Sequence, residues 1–312
     1  MERYLVTGGA GFIGSHITDK LLEKKCFVRV LDNFSNGKME NLKPFLGKID
    51  LVRGDIRSRK TCLAVTKGMD YCLHQAALRS VPKSMFDPGV YNEVNIQGTL
   101  NMLEASLKNK VKGFVFASSS SVYGETDVFP EREGFFPGPI SPYALTKLAG
   151  EYYCKIFSYH FGLPTTSLRY FNVFGPRQAL DDQYAVVIPK FITSILNNRR
   201  PPIYGNGKQS RDFTFVGNVV DANLLASHRR NAKGEVFNVA SGRDYTVLKL
   251  VDILNKLIGK DIKPAFVPLR PGDVFKTLAD LSHSRKRLGF KPRVDFIEGL
   301  KITVEYFRKN NG

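Results

Sequence analysis

Short apolar runs that alternate with helical patterns constrain the fold of this chain more than any other feature. Buried strands are predicted by the apolar runs at residues 3–7, 27–31, 49–53, 70–74 and 113–118. Apolar residues at helical spacing predict helices over about 12–24 and about 89–109. Because strands that alternate with helices pair in parallel through right-handed crossovers, the pattern predicts an α/β fold with a doubly wound parallel sheet.

The second half of the chain is more broken, because prolines and a Gly-Asn-Gly turn interrupt it. A strand is predicted at 237–240 and helices at 248–258 and 296–307. We therefore predict a sheet domain over 1–172 and a smaller α/β ligand-binding domain over 173–312. The boundary is soft, and we expect the chain to cross between the two parts.

Composition narrows the class of protein. Hydrophobic residues make up 43% of the 312 residues and charged residues 24%, which excludes a disordered chain. No apolar run approaches the roughly 18 residues of a membrane span. The four cysteines lack metal-ligand spacing, and a strand pattern begins at once without a signal peptide. These features predict a cytoplasmic protein with no metal site and no membrane partner.

The charge balance is unusually basic. Lysine and arginine number 46 against 29 acidic residues, which gives a formal net charge of +17. Such a charge is compatible with a nucleic acid or another polyanionic partner. However, the basic residues are scattered and do not alternate with aromatic side chains that would stack on bases. We therefore interpret the charge as a solvated surface and expect no nucleic-acid partner.

A glycine-rich turn follows the first strand. Gly8, Gly11 and Gly14 have the spacing G-x-x-G-x-x-G and open the first helix, where a pyrophosphate can approach the backbone. Asp32 ends the second strand, where a carboxylate accepts hydrogen bonds from ribose hydroxyls and repels a phosphate. This favours NAD over NADP, although Lys38 lies close enough in sequence to keep NADP open.

Asp55 follows the third strand. The sequence supports two interpretations of Asp55 about equally well: it contacts the adenine edge of the cofactor, or it caps the next helix.

A serine cluster and a Tyr-x-x-x-Lys pair indicate acid-base chemistry. Residues 118–121 are four serines at the end of the fifth strand, the edge where ligands bind. Ser141 and Pro142 suit the start of a helix, which places Tyr143 and Lys147 one turn apart on one face. A nearby ammonium favours the phenolate form of a tyrosine. A surface pair is the usual explanation of such spacing, but the neighbouring motifs make it improbable.

On these motifs the chain resembles the extended short-chain dehydrogenases/reductases, and among them the nucleotide-sugar 4-epimerases. The resemblance covers nearly the whole chain. It rests on Thr7–Gly14, Asp32-Asn33, Gly54-Asp55-Ile56, His74-Gln75-Ala76-Ala77, Asn95-Ile96-Gln97-Gly98-Thr99, Ser119–Gly124, Tyr143–Lys147, Arg169-Tyr170-Phe171-Asn172, Arg211-Asp212-Phe213 and Arg270-Pro271-Gly272-Asp273.

The resemblance implies a Rossmann fold, the cofactor NAD, a UDP-sugar substrate and a set of site residues. The implied catalytic residues are Ser119, Tyr143 and Lys147. The implied NAD-binding residues are Gly8, Gly11, Phe12, Ile13, Gly14, Asp32, Asn33, Ser35, Gly37, Asp55, Ile56, Gln75, Ala76, Ala77, Asn95, Tyr143, Lys147 and Tyr170. The implied substrate-binding residues are Arg79, Ser80, Ser119, Ser120, Asn172, Gln178, Val187, Tyr204, Arg211, Arg270, Asp273 and Thr277.

The resemblance also implies a mechanism. Tyr143 removes the proton of the sugar 4-hydroxyl while nicotinamide accepts a hydride from carbon 4, and the hydride returns to the opposite face of the turned 4-keto sugar. Arg211 and Arg270 are the expected diphosphate clamps. Their alternative is a salt bridge with Asp212 or Asp273.

Several positions bear on the reaction and on the sugar. Ser120 and Ser121 replace the Asp-Glu pair of related 4,6-dehydratases, which disfavours dehydration, while decarboxylation is less firmly excluded.

Thr277 stands where galactose-restricted epimerases have tyrosine, which leaves room for an N-acetyl group. We expect UDP-N-acetylglucosamine and UDP-N-acetylgalactosamine as substrates, with UDP-glucose and UDP-galactose accepted in addition or instead. Arg79 and Val186 depart from the amino-sugar subgroup, and Arg79 keeps UDP-glucuronate open as an alternative.

The resemblance further implies a homodimer in which the helices near 89–109 and 142–161 form a four-helix bundle. The second of these carries the apolar residues Tyr152, Tyr153, Ile156 and Phe157.

The alternative to an enzyme is a catalytically silent nucleotide sensor or RNA-binding member of the superfamily. Such proteins usually lose the tyrosine or the lysine, and this chain keeps both.

Overall fold

The computed structural model describes residues 1–179, 187–229, 233–268 and 274–310. The strands are β1 Arg3–Thr7, β2 Phe27–Asp32, β3 Asp50–Arg53, β4 Tyr71–His74, β5 Gly113–Ser119, β6 Thr165–Tyr170, β7 Val173–Phe174, β8 Pro202–Tyr204, β9 Ser210–Asp212, β10 Thr214–Phe215, β11 Glu235–Val239, β12 Asp244–Thr246 and β13 Ala265–Val267. The helices are α1 Phe12–Glu23, α2 Arg59–Thr66, α3 Val81–Phe86, α4 Pro88–Tyr91, α5 Gly98–Lys108, α6 Pro142–Phe161, α7 Val187–Leu196, α8 Val216–Ser227, α9 Val247–Ile258 and α10 Phe296–Asn310.

Seven parallel strands form the central sheet in the order β11-β6-β5-β4-β1-β2-β3. The strand order reverses between β1 and β4, which is the switch point where doubly wound sheets bind their ligands. The five strands predicted for the first half lie within one residue of β1 to β5 at either end. The predicted α/β doubly wound fold is therefore confirmed.

The long helix predicted over 89–109 is interrupted. The structure has α4, then a π-helical turn at Asn92–Gln97, then α5. Asn95 lies within the π turn and points its buried amide at the loop after β4, where it bonds both backbone groups of Leu78. Apolar periodicity could not reveal this turn, because the turn changes the helix winding only locally.

The second half contributes to both parts of the molecule. Strand β11 pairs with β6 in the central sheet, and α8 packs against α1, β5 and β6. The chain therefore crosses back to the sheet after residue 172, as we expected, whereas the division into domains at that residue stays a prediction. The helices α7, α9 and α10 surround a separate apolar cluster.

Three apolar clusters stabilise these layers. One lies on the sheet face covered by α1 and α8, and a second on the face covered by α2, α5 and α6. The third fills the smaller C-terminal part around Leu250, Leu254 and Leu300. The sheet is thus buried on both faces, as parallel sheets require. Among the described residues, no helix has the length and apolarity to cross a membrane.

The glycine loop fixes how α1 begins. Gly8 has φ +67°, and a Cβ there would lie 2.8 Å from the backbone nitrogen of Ala76. A Cβ on Gly14 would overlap the carbonyl oxygen of Gly8. Only glycine therefore lets the first turn of α1 pack directly on the loop.

We expect Gly14→Ala to lower the free energy of unfolding by about 1–3 kcal/mol through overpacking. The loss opposes a gain in helix propensity of up to about 1 kcal/mol, so the sign itself is informative. Gly134→Ala is the matched control, because a Cβ at that exposed position meets nothing within 4 Å. Denaturant unfolding of both variants checks the expectation, and a Gly14→Ala protein as stable as the wild type would contradict it.

Candidate active site

A cavity of about 330 Å³ lies at the carboxyl ends of the central strands. It is lined by the loop after β1, the ends of β2 and β5, the loop after β4, and the first turns of α6. Of the predicted NAD-binding residues, sixteen line it: Gly8, Gly11, Phe12, Ile13, Gly14, Asp32, Asn33, Ser35, Gly37, Ile56, Gln75, Ala76, Ala77, Tyr143, Lys147 and Tyr170.

Asp32 is fixed at the end of β2 by backbone groups. Its carboxylate accepts hydrogen bonds from the backbone nitrogens of Ala10 at 2.9 Å and Phe34 at 2.8 Å. Burial raises the pKa of this carboxyl, and the backbone donors act in the opposite direction. A Cβ on Gly37 would lie 2.9 Å from its oxygens. The carboxylate and the glycine cradle thus form a preformed surface that fits the ribose and pyrophosphate of a dinucleotide.

Asp55 does not line the cavity. Hydrogen bonds from Arg57 hold the pKa of its carboxyl at about 2, and the Asn33 amide donates to it at 2.9 Å. Helix α2 is capped by Ser58, whose hydroxyl accepts from the backbone nitrogen of Thr61. The interpretation of Asp55 as the helix cap is therefore wrong, and its contact with adenine stays a prediction.

Asn95 is not among the residues that line the cavity, and its predicted contact with NAD stays a prediction. Its amide accepts from the backbone nitrogen of Leu78 at 2.8 Å and donates to the carbonyl of Leu78 at 2.9 Å. It also donates to the hydroxyl of Thr146 at 3.0 Å. Because Leu78 lines the cavity, Asn95 fixes the wall and ties it to α6.

Tyr143 and Lys147 project from the first turns of α6, which begins as predicted with the Ser141 cap. The buried Lys147 donates from Nζ to the carbonyl of Ala117 at 2.8 Å and lies 5.9 Å from the centre of the Tyr143 ring. Burial lowers the pKa of Lys147 to about 8, so the ammonium form still prevails at pH 7. The structure thus brings the predicted pair together inside the cavity.

The environment of the Tyr143 phenol combines opposing influences. Burial raises its pKa, whereas a hydrogen bond with Ser119 and the positive charge of Arg79 lower it. Ser119 ends β5, and its hydroxyl also accepts from the backbone nitrogen of Ser121 at 3.2 Å. Ser119 and Arg79 therefore both act on the phenol of Tyr143, the group suited to proton transfer with a bound hydroxyl.

Tyr170 is held by a residue that the sequence analysis missed. Asn223 on α8 donates to the Tyr170 hydroxyl at 2.8 Å and accepts from the Gln75 amide at 3.0 Å. Asn223 has no motif signal, because it contacts these residues only after α8 packs on the sheet. Gln75 and Tyr170 line the cavity on the β4 and β6 side, and Asn223 fixes both of them.

The predicted substrate residues on the C-terminal side form a frame. Asn172, with φ +33°, donates to the Thr277 hydroxyl at 2.9 Å and to the carbonyl of Asp212 at 3.1 Å. The hydroxyl of Thr277 also accepts from the backbone nitrogen of Asp212 at 3.1 Å. Arg211 is buried and donates to the carbonyls of Ser210 and Phe275.

Asp212 binds backbone groups rather than serving as a simple ion-pair partner. Its carboxylate accepts from the backbone nitrogens of Ser241 at 2.8 Å and Gly242 at 3.0 Å. Burial raises its pKa to about 6.

The remaining predicted substrate residues lie apart from this frame or outside the described part of the chain. Ser80 caps α3, and Ser120 begins the 3-10 turn after β5. Val187 begins α7, Tyr204 ends β8, and the buried Gln178 donates to the carbonyl of Val173. Arg270, Asp273 and Val186 lie outside the described residues. Within the described part of the chain, no group of three or more His, Cys, Asp or Glu residues forms a metal site.

Comparison with known proteins agrees with this geometry. A UDP-N-acetylglucosamine 4-epimerase from Methanobrevibacter ruminantium, solved with UDP-N-acetylmuramic acid, has a TM-score of 0.94 and 42% identity over 99% of each chain. A UDP-glucose 4-epimerase from Thermotoga maritima, solved with UDP-glucose, has a TM-score of 0.94 and 41% identity over 99% of this chain and 100% of that one. A UDP-glucuronic acid 4-epimerase from Bacillus cereus, solved with UDP-glucuronic acid and NAD, has a TM-score of 0.90 and 32% identity over 99% of each chain.

A family model described as the NAD dependent epimerase/dehydratase family matches residues 4–240. This stretch contains the glycine loop, Asp32, Tyr143 and Lys147, which line one cavity. The chain therefore belongs to the NAD dependent epimerase/dehydratase family, and its cofactor is NAD.

Proposed function

We propose that this protein is a UDP-sugar 4-epimerase that inverts carbon 4 of a UDP-hexose. One observation carries the proposal: Tyr143 and Lys147 line the same cavity as the glycine loop and Asp32, and Ser119 forms a hydrogen bond with the Tyr143 phenol. The acid-base group is thereby placed next to the site for the redox cofactor. The similar solved structures named above act on three different UDP-sugars, so they support the reaction type more strongly than any one sugar.

The glycine loop and Asp32 would hold NAD, which would supply the reversible hydride acceptor for carbon 4 of the sugar. The protein supplies the proton transfer and the geometry. In its phenolate form, the Tyr143 oxygen takes the proton of the 4-hydroxyl and later gives it back. Ser119 donates a hydrogen bond to the same sugar oxygen, because its hydroxyl already lies beside the phenol.

Lys147 favours the phenolate by its positive charge. Its anchor on the Ala117 carbonyl keeps the ammonium inside the cavity, 5.9 Å from the Tyr143 ring centre. Burial alone would disfavour both the phenolate and the ammonium, and the two opposite charges stabilise each other. At pH 7 the pair therefore works with a charged lysine.

The nucleotide has to stay anchored while the 4-keto sugar turns over. We assign this anchoring to the part of the chain from residue 172 onward. Asn172 and Arg211, which the structure describes, and Arg270 and Asp273, which lie outside the described residues, are the proposed binding residues. The Asn172–Thr277 contact brings the end of the central sheet to the C-terminal segment. Thr277 is smaller than tyrosine, which supports UDP-N-acetylglucosamine and UDP-N-acetylgalactosamine as substrates, with UDP-glucose and UDP-galactose also accepted.

We expect the wild-type protein to form the 4-epimer of UDP-N-acetylglucosamine without added reductant. Tyr143→Phe removes the base, and kcat should fall about 10²- to 10⁴-fold. Tyr306→Phe is the matched control, because Tyr306 lies on α10 and does not line the cavity. Chromatography of the UDP-sugars checks both. Full activity of Tyr143→Phe would refute the assignment of the base, and turnover of only the unsubstituted pair or only a uronate would refute the sugar assignment.

A second substrate class is favoured by Arg79. This residue lines the cavity, and its positive charge acts on the Tyr143 phenol. Its side chain is exposed to the cavity, and no described carboxylate forms an ion pair with it. A cation at this place suits a uronate carboxylate, which makes UDP-glucuronate the alternative substrate.

We expect Arg79→Gln to move the rising limb of the kcat–pH profile to higher pH. Activity needs the phenolate, and loss of a neighbouring cation raises the pKa of the phenol, so more alkaline solution is needed to deprotonate it. Arg79→Lys keeps the charge and is the control. With UDP-glucuronate, Arg79→Gln should also raise KM tenfold or more if the uronate is a substrate. An unchanged profile with the neutral sugar would contradict the expected electrostatic effect.

We further propose a homodimer through the outer face of α6 and the neighbouring helical segment at 88–108. Of the four apolar residues named from the sequence, Phe157 lies instead in the core and Tyr153 packs against that core. Tyr152 is 53% exposed, Ile156 44% and Tyr159 80%, and their spacing places them on one face of the helix. Such a contiguous apolar face is typical of a protein–protein contact.

Ile156→Glu should convert the dimer to monomer at micromolar concentration, because a buried unpaired carboxylate at the interface is costly. Phe266→Glu is the control, since Phe266 on β13 is also exposed and lies in the other part of the molecule. Light scattering measures the molar mass of both variants. A wild-type protein that is only monomeric would refute the proposed dimer.

A further inference from the structure

A buried ion pair lies directly beneath the catalytic helix. Glu151 on α6 and Arg169 on β6 form two hydrogen bonds, Nε to Oε1 at 2.9 Å and Nη2 to Oε2 at 2.7 Å. Their side chains are only 5% and 3% exposed. Neither residue lines the cavity, so the chemistry proposed above does not use them directly.

Stability alone is a poor explanation for this pair. Removing two charges from water is costly, and apolar residues of similar volume often replace such a pair without loss of stability. What the pair does supply is direction, because a bidentate arginine–carboxylate contact fixes both distance and orientation.

Because Glu151 lies on the same helix as Tyr143 and Lys147, a fixed orientation of Glu151 also orients these two residues. Glu151 follows Lys147 by one helical turn and Tyr143 by two, so all three project from one face of α6. Lys147 and Glu151 bind two successive residues of β5. The Ala117 carbonyl accepts from Lys147, and the Ser118 hydroxyl donates to Glu151.

Arg169 is itself held from two sides. It is paired in register with Ser118 across β5 and β6. Its guanidinium carbon lies 4.5 Å from the centre of the Tyr123 ring, and the Tyr123 hydroxyl donates to Asn238 at 2.7 Å. Tyr123 ends the 3-10 turn that begins directly after Ser119. The pair therefore joins α6 to the two strands and to the turn that follows the predicted catalytic serine.

We infer that Glu151 and Arg169 are positioning residues for the Tyr143–Lys147 pair: their contact fixes how far α6 lies along β5, and so brings the Tyr143 hydroxyl to Ser119. This inference rests on the proposed epimerase function for its kinetic consequence. The structural consequence, a fixed register of α6 on β5, does not depend on the reaction. A displacement of about 1 Å at a reacting group lowers rates by up to about 10²-fold, so a small slip of α6 is sufficient.

The kinetic test compares Glu151→Gln, the double variant Glu151→Leu/Arg169→Met, and the control Val251→Ala. Val251 lies in the apolar cluster around α9, and its truncation lowers Tm without touching α6. We expect Glu151→Gln to lower kcat at least about tenfold with KM for the UDP-sugar changed less than about threefold. The double variant should regain most of the lost Tm but not kcat, because the apolar pair fills the space without fixing the register.

A kcat that follows Tm through the whole set, including Val251→Ala, would overturn the inference, since a merely structural role predicts that behaviour. If Glu151→Gln does not fold, Glu151→Asp replaces it: the charge remains, but the shorter side chain pulls on α6, and kcat should again fall more than Tm suggests.

A crystal structure of the double variant tests the inference without any measurement of catalytic activity. We expect Lys147 Nζ to move away from the Ala117 carbonyl and the Tyr143 hydroxyl to separate from Ser119. An unchanged register of α6 would overturn the inference. If the wild-type protein epimerises no UDP-sugar, the proposed function fails, while this structural arm still decides the role of the pair.

Discussion

The contact between α6 and β5 is the constraint on which the active site depends. The Lys147 ammonium is buried and needs an acceptor, which the Ala117 carbonyl provides. Gly150 lets the helix approach so closely that a Cβ there would overlap the Phe116 ring. Because a buried charge and a glycine contact both fix the same helix face, α6 cannot shift without either stranding the ammonium or opening a void. The position of Tyr143 thus depends on these two contacts together with the inferred role of the buried Glu151–Arg169 pair on the same helix.

The same burial works against the chemistry, and the site is arranged to counter it. Burial raises the pKa of Tyr143 and lowers that of Lys147, so each group is pushed toward its neutral form. The Ser119 hydrogen bond and the Arg79 charge act in the other direction on the phenol. At the cofactor end, Asp32 is likewise buried, and backbone nitrogens supply its donors. A dry cavity can therefore keep groups that react or bind as charged species, because each has a fixed polar neighbour.

Sequence patterns predicted those elements that depend on residues close together in the chain. Apolar runs placed β1 to β5 within a residue, and the glycine spacing and the Tyr-x-x-x-Lys pair identified the two sets of residues that share the cavity. Long-range contacts decided the rest. Asn95 binds Leu78 and Thr146 and so ties the cavity wall to α6, and Asn223 reaches Tyr170 from a helix 53 residues further along the chain. No spacing rule contains such contacts, since they exist only once the layers have packed.

Under the proposed function, in which Thr277 leaves room for the sugar, the frame at the C-terminal side links substrate size to stability. The Thr277 hydroxyl accepts from both the Asn172 amide and the backbone nitrogen of Asp212, and all three residues are largely removed from water. A tyrosine at position 277 would be bulkier than threonine and would also remove the hydroxyl that accepts from these two donors. Unpaired buried donors cost about 1–3 kcal/mol each, so the choice of residue there cannot be made on sugar size alone. Any change of residue 277 that narrows the pocket must therefore also supply new partners for Asn172 and Asp212, which ties substrate range to the hydrogen-bond frame.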